Sequence, residues 1–377
     1  MKRILIVMGR YLPGFHDGGP VRSTANLIEQ LGDEYDLRVL CYDRDHGDAV
    51  PYPGIRLYDW NRVGKGLVYY VPEGGITRRV LLELTEQADL LYLWGCFNRY
   101  TVDALCLKRA GRIRIPVAVA AMGLFSPNEF RRKYAKKKLA AEAFSRAGLF
   151  RDVYWSVSSE REARELRAQV RTSDDRILIA RDLPCPPDGR PVTKQKEPGR
   201  LKVVWLSRIA WKKNLPGAIR ILRGVKAEVQ FTIYGPNDYA PDCWKACRAE
   251  LAQLPSNVRW QYGGEVPPDR VVETLRAHHV FLFPTLGENY GHVIPEALAA
   301  GCPCILSDQT PWLDLEAAGA GFAFPLDDPG AYVQALEAYA AMDAEAFGAA
   351  ADRALQYAVR NSRDQAAGTG YRQIFAL

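Results

Sequence analysis

The chain reads as an α/β protein built from two doubly wound parallel-sheet domains, and three observations predict this. Short β-branched and aromatic runs alternate with helical stretches along the whole sequence. Several of these runs are almost continuously apolar rather than alternating, the pattern of parallel strands covered on both faces. One segment without periodicity, LPCPPDGRPVTKQKEPGR at 183–200, carries five prolines and two glycines and divides the 377 residues into similar halves. Strand–helix repetition gives sheets with helices on both faces. The expected organisation is a domain over 1–183, a linker at 184–200 and a domain over 201–359. The two domains would face across a cleft where the carboxyl ends of their strands converge.

In the first half, strands are expected at 3–9, 37–41, 90–94, 117–122, 153–158 and 177–180. In the second they are expected at 202–207, 229–235, 258–263, 280–285, 304–307 and 322–325. Two helix starts are well marked. Ser126, Pro127 and Glu129 form an N-cap, a first-turn proline and a capping-box carboxylate; Ser159 with Glu162 repeats the box.

Composition is that of a globular protein, 48% hydrophobic and 25% charged. The opening apolar run is too short for a secretory leader, and no stretch approaches the ~18 apolar residues a bilayer requires. Eight scattered cysteines in a large chain fit a reducing compartment, so a cytoplasmic protein is expected. Cys243 with Cys247 and Cys302 with Cys304 lack a second pair at zinc-binding spacing and read as core thiols. Residues 1–183 carry 30 Lys+Arg against 23 Asp+Glu, a net of +7; residues 184–377 carry 20 against 21, a net of −1. The basic half calls for an acidic partner: nucleic acid, anionic lipid or a phosphorylated substrate.

The strongest chemical signal is TLGENYGHVIPEALAAGCPCILSD at 285–308. It leaves an apolar strand, passes through a polar turn holding Glu288, and enters a helix holding Glu296. Gly291 lets backbone approach a ligand, and the helix start offers free N–H groups to a diphosphate. A carboxylate about five residues past the helix start stands roughly 7.5 Å further along the axis, within reach of a ribose. The second signal is WLSRIAWKKNLPGAIRIL at 205–222. Arg208 and Lys213 occupy the loop after a strand, Asn214 caps the next helix and Pro216 lies in its first turn. A guanidinium fork and an ammonium suit the neutralisation of a leaving diphosphate.

Together these segments resemble the family 4 retaining glycosyltransferases of the GT-B fold. The likeness extends to GGPVRSTANLIEQL (18–31), MGLFSPNEFRRKYAKKKL (122–139) and GAGFAFPLDDPGAY (319–332), in order along nearly the whole chain. The resemblance implies that Arg208 and Lys213 hold the donor diphosphate, with Glu296 on the ribose hydroxyls. It implies that Glu288 and the backbone of Asn289, Tyr290 and Gly291 hold the transferred sugar. The first domain would bind a glycan or lipid-linked acceptor, and the last helix, within 360–377, would pack back on it. The loop of Gly18 and Gly19 would border the phosphates and the acceptor, with His16, Asp17 and Arg22 flanking it as candidate contacts. His292 is a further candidate phosphate contact. Many relatives carry a histidine on the donor sugar where this chain has Met122, which offers no useful hydrogen bond. Surface polysaccharide or glycolipid assembly would be the setting.

Other motifs carry blander readings. Asp43-Arg44-Asp45 matches a metal-binding Asp-x-Asp pattern, but it reads as a surface loop because Arg208 and Lys213 already supply the cations; no metal or other cofactor is expected. His278 and His279 read as solvated or partly buried. The run of Arg131, Arg132, Lys133, Lys136, Lys137 and Lys138 would be a solvated helix face or a peripheral contact with anionic lipid, with Phe130, Tyr134, Ala141 and Phe144 beneath it. Its single aromatic and the lack of a binding signature argue against nucleic acid. The alternative to an enzyme is a non-catalytic partner subunit that binds nucleotide-sugar or membrane.

Overall fold

The computed structural model describes residues 1–125, 134–185, 187, 190, 192–363 and 365–377. The chain forms two compact units: Met1–Leu183 with Asp364–Leu377, and Pro184–Arg363.

The first unit carries β1 (Arg3–Val7), α1 (Gly19–Leu31), β2 (Asp36–Tyr42), β3 (Trp60–Val63), β4 (Gly66–Val71), α2 (Arg78–Thr85), β5 (Leu90–Trp94), α3 (Arg99–Arg109), β6 (Val117–Ala120), α4 (Tyr134–Arg146), β7 (Tyr154–Val157), α5 (Glu160–Arg167) and β8 (Ile177–Ile179). Its sheet runs β3-β4-β2-β1-β5-β6-β7-β8 and is parallel except for the β3–β4 hairpin at one edge. Each expected strand of this half forms. The hairpin was not expected: its first strand, WNRV, is half-exposed and polar, although GLVYYV at 66–71 has the β-branched and aromatic content of a buried strand. Adjacent residues of β1 enter different cores. Leu5 and Val7 pack on one face, Ile4 and Ile6 on the other, which is why its sequence is continuously apolar.

The second unit carries β9 (Arg200–Leu206), α6 (Leu215–Leu222), β10 (Glu228–Tyr234), α7 (Pro241–Leu251), β11 (Val258–Tyr262), α8 (Val271–Arg276), β12 (Val280–Phe283), α9 (Val293–Ala299), β13 (Cys304–Ser307), β14 (Gly321–Phe324), α10 (Pro329–Ala341) and α11 (Ala344–Ser362). All six expected strands form one parallel sheet in the order β11-β10-β9-β12-β13-β14. Cys243, Cys247, Cys302 and Cys304 are buried free thiols in its core.

The segment expected as a linker at 184–200 groups with the second unit. Lys194 Nζ donates to the carbonyls of Arg276 (2.9 Å) and His278 (2.7 Å). Lys196 Nζ donates to those of Ala340 (2.8 Å) and Met342 (2.9 Å). Both ammonium groups are buried and satisfied by carbonyl oxygens, so the chain around Lys194 and Lys196 is packed against the second unit.

Beyond α11 the chain returns to the first unit as α12 (Gln365–Phe375). Tyr371, Ile374 and Phe375 are buried in the core that holds Ile4 and Ile6. Arg372 closes on Glu34 with two hydrogen bonds of 2.8 and 2.7 Å. No helix among the described residues is long and apolar enough to cross a membrane.

Candidate functional site

The strand order of the second sheet reverses between β9 and β12: the chain moves outward on one side through β10 and β11, then returns to start the other side. Loops leaving two neighbouring strands at such a point part to opposite faces and leave a crevice for ligands. The loops leaving β9 and β12 are the two segments singled out in the sequence.

Backbone and side-chain bonds fasten these loops together. Leu286 N and Thr285 Oγ1 donate to the Lys212 carbonyl at 2.8 and 3.0 Å. Asn214 Nδ2 donates to the Pro284 carbonyl at 2.7 Å, while its Oδ1 accepts from Gly217 N at 3.2 Å. Asn214 is therefore the expected cap of α6, and its left-handed backbone (φ 53°) lets one side chain serve both loops. Ser307 Oγ, buried at the end of β13, donates to the Thr285 carbonyl at 2.6 Å.

Lys213 and Glu288 meet on this frame, with Nζ 2.5 Å from Oε1 and side chains 17% and 9% exposed. Thr285 Oγ1 lies 3.3 Å from the same carboxylate oxygen, and Glu288 N donates to the Gln309 carbonyl at 3.0 Å. Arg208 is half-buried and lies over the ring of Tyr239 at 5.1 Å. The expected cationic pair is thus differentiated: Lys213 is held by a carboxylate, and Arg208 is held by an aromatic face.

Gly291 has φ 81°, and a Cβ there would stand 2.9 Å from Ile294 Cδ1 and 3.3 Å from Glu288 Cγ. The absence of a side chain at 291 thus makes room for Glu288 itself, in addition to any room it leaves for a ligand. Tyr290 packs between His292 and Trp312 (ring centroids 5.0 and 5.2 Å), and Trp312 Nε1 donates to the Tyr290 carbonyl at 2.6 Å. Asn289 and His292 are half-exposed in the same loop. Glu296 is buried as the fourth residue of α9, which begins at Val293. It stands about 4.5 Å past the first helical residue, not the 7.5 Å expected, because the polar turn runs two residues further than the sequence suggested.

The loop leaving β10 was not foreseen as part of this site. Ile209 N donates to the Pro236 carbonyl at 3.3 Å, and Tyr239 from this loop supplies the ring under Arg208. A Cβ at Gly235 would fall 1.8 Å from the Ser207 carbonyl oxygen, so only glycine lets the loops lie together. The signal was present as a Gly-Pro turn after a strand at the same sheet edge.

In the first unit the strand order reverses between β1 and β5. The loop after β1 holds His16, Asp17, Gly18 and Gly19. Gly18 (φ 65°) caps α1, whereas a Cβ at Gly19 would meet nothing within 4 Å; Arg22 lies half-buried in the helix. The surface-loop reading of Asp43 and Asp45 is corrected: both are buried. Asp45 accepts from the backbone N of Phe15 (2.6 Å), His16 (3.1 Å) and His46 (2.8 Å), and Asp43 accepts from Arg44 Nε (2.8 Å). Asp45 therefore fixes the loop that carries His16.

Met122 follows β6 with a left-handed backbone (φ 56°) and packs partly into the core. The next residue, Gly123, donates its N–H to the buried Glu162 carboxylate, which also accepts from Ser158 N (2.6 Å) and Oγ (2.7 Å). Ser159 Oγ caps α5 by accepting from Glu162 N at 3.2 Å, as expected. The Glu162 carboxylate, however, reaches Gly123 and Ser158, so half of the capping box is used to hold the Met122 turn. Beside it, burial pushes the Asp182 carboxyl up to about 6, and the Glu162 charge adds to the effect. A raised folded-state value means stability is complete below the ordinary carboxyl range and is lost as pH rises through about 6. Asp182→Asn should therefore raise the melting temperature at pH 8, by the equivalent of roughly 2–3 kcal/mol, and leave it unchanged near pH 4. Equal shifts at both pH values would count against this assignment.

Residues 126–133, with the helix start at Ser126 and the cations Arg131, Arg132 and Lys133, lie outside the described residues, as do the side chains of 134–137. Of the expected stripe and basic run, Ala141 is buried, Phe144 packs against the core that holds Leu5 and Val7, and Lys138 is exposed.

Residues 200–341 match the family model described as glycosyl transferases group 1. No curated protein matches the chain. Among solved structures, the chain is similar to Alr3699/HepE of Anabaena in complex with UDP and glucose, at 13% identity, TM-score 0.70 and 100% coverage of both chains. It is similar to sucrose-phosphate synthase (tll1590) of Thermosynechococcus elongatus, at 15% identity, TM-score 0.67 and 100% coverage of both. It is also similar to WaaG, a glycosyltransferase involved in lipopolysaccharide biosynthesis, at 14% identity and TM-score 0.64, covering 99% of this chain and 98% of that one. At these identities the likeness establishes the fold, two α/β domains with parallel sheets in the GT-B architecture.

Proposed function

We propose that this chain, a glycosyltransferase by its group 1 domain and its fold, moves a sugar from a nucleoside-diphosphate sugar to an acceptor hydroxyl with retention and without a metal ion. The observation that carries the proposal is the convergence of Arg208, Lys213 and Glu288 on the loops leaving β9 and β12. A departing diphosphate gains negative charge as its bond to the anomeric carbon breaks, and two positioned cations stabilise that charge most in the transition state. Lys213 would exchange part of its contact with Glu288 for a phosphate oxygen, leaving the carboxylate to accept from the sugar hydroxyls. Glu296 would take the ribose hydroxyls. Retention would follow from attack on the same face, with a leaving phosphate oxygen accepting the acceptor's proton; Met122 is then no obstacle to chemistry. Acceptor contacts would come from the first unit, around His16, Gly18, Gly19 and Arg22.

UDP is the first nucleotide to test, since the Anabaena protein holds it. Melting curves with UDP, GDP, ADP and CMP, each with EDTA, should show one diphosphate stabilising the wild type. At about 100 times its dissociation constant the gain is about 2.7 kcal/mol, and Arg208→Ala should reduce it. If no nucleotide stabilises the protein at any concentration, the donor assignment fails and the non-catalytic alternative replaces it. A setting in surface polysaccharide or glycolipid assembly, with residues 131–138 meeting anionic lipid, belongs to the same proposal. Its check is co-sedimentation with anionic vesicles before and after those cations are neutralised.

A further inference from the structure

At the edge of the first sheet where β7 and β8 begin, a depression of about 420 Å³ is lined by residues from the end of α4 and from the segments leading into these two strands. The loops around His16 and Met122 leave their strands at the opposite edge, because β1, β6, β7 and β8 are parallel. The depression is therefore separate from the residues assigned to sugar transfer.

Its lining is cationic. Arg151, Arg171 and Arg176 border it, and among the described residues none of the three forms an ion pair. Arg176 lies over the Tyr154 ring at 5.1 Å, which holds one guanidinium in place. The neighbouring Asp174 is engaged with Arg167 at 2.7 Å. A fourth guanidinium packs close by: a Cβ on Gly148, itself a lining residue, would stand 3.3 Å from Arg109 Nε.

Three guanidiniums without carboxylate partners call for a compact, multiply charged anion rich in oxygen. A phosphate monoester fits, since its oxygens accept bidentate pairs from guanidinium forks. The volume leaves room for a small body attached to the phosphate.

We propose that this depression binds a phosphate monoester at a site distinct from the transfer site. The phosphate could belong to a soluble metabolite or to the headgroup of an anionic lipid, and one set of measurements separates the two. Calorimetric titration of the full chain with glycerol 3-phosphate is expected to show binding that survives Arg208→Ala. It should weaken at least about tenfold in the double variant Arg151→Gln/Arg171→Gln, whose altered side chains are solvent-exposed. If the source is lipid, glycerol 3-phosphate gives no heat, but vesicles of phosphatidylcholine with phosphatidic acid retain the wild type and release the double variant. Equal binding by wild type and double variant in whichever assay gives a signal would overturn the proposal. So would loss in Arg208→Ala alone, or no binding to either probe.

Discussion

Lys213→Ala lowers turnover by about 100-fold or more while leaving donor affinity less affected. The expectation rests on where charge develops. The ammonium sits on the loop that leaves β9, fixed by the Glu288 carboxylate at 2.5 Å and by a frame of backbone bonds between the two loops. A donor in a preorganised site costs ~100-fold or more when removed, because nothing reorganises to replace it as the leaving group becomes anionic. A contact that strengthens in the transition state shows in kcat more than in KM. The substitution also leaves Glu288, 9% exposed, without its cation. A melting curve of the second unit therefore accompanies the kinetics, and Lys213→Ala/Glu288→Gln removes the stranded charge. Turnover near that of wild type in Lys213→Ala would take this residue out of the mechanism.

Acidification should weaken the second unit from a pH above that at which carboxylates titrate in bulk. His278 and His279, expected to be solvated or partly buried, are both buried where the chain enters β12. Burial pushes each imidazole down to about 4, with Lys194 and Lys202 adding repulsion in both cases. His279 Nδ1 accepts from Lys202 N at 3.0 Å while its Nε2 faces the Gln195 carbonyl at 2.8 Å, so protonation at Nδ1 breaks the first bond. His278 Nδ1 is 2.9 Å from the Thr274 carbonyl. A lowered folded-state value gives stability that is complete above the unfolded value of about 6.5 and lost as pH falls through about 4. Two such groups together are worth on the order of 5 kcal/mol, a large part of an ordinary domain's stability. Urea midpoints followed from pH 7 to 4.5 should fall steadily with a slope reporting nearly two protons taken up on unfolding. His279→Gln should cut that slope by about half. A midpoint independent of pH over this range would refute the account.

The twelve expected strands were legible because parallel strands buried on both faces leave long apolar runs, as Ile4 to Val7 and Val280 to Phe283 do. The β3–β4 hairpin was not, because an edge strand such as WNRV needs only one apolar face and so leaves a weak pattern. The motif loops were legible as chemistry, yet their order in the sheet was not. That Arg208, Lys213 and Glu288 share one switch point depends on β9 pairing with β12, a contact between residues about eighty positions apart. Asp45 and the two histidines were misread for a common reason. A polar side chain satisfied by buried backbone groups looks, in one dimension, the same as one satisfied by water. The segment at 184–200 shows this again: its prolines predicted the lack of periodicity, but the carbonyl partners of Lys194 and Lys196 lie in distant parts of the chain.

The return of α12 to the first unit has a consequence for biosynthesis. Tyr371 and Phe375 complete an aromatic cluster with Tyr92 and Tyr35, and Ile374 fills the same core. A chain emerging from the ribosome presents the whole of residues 184–363 before these side chains exist. The amino-terminal unit must therefore wait, with α1 covering only part of one sheet face, while the unit encoded after it is already able to fold. The order of completion along the messenger is the reverse of the order of appearance. A nascent chain interrupted near residue 363 would carry a finished second unit joined to an unfinished first one, with the apolar surface under α12 available to chaperones and proteases.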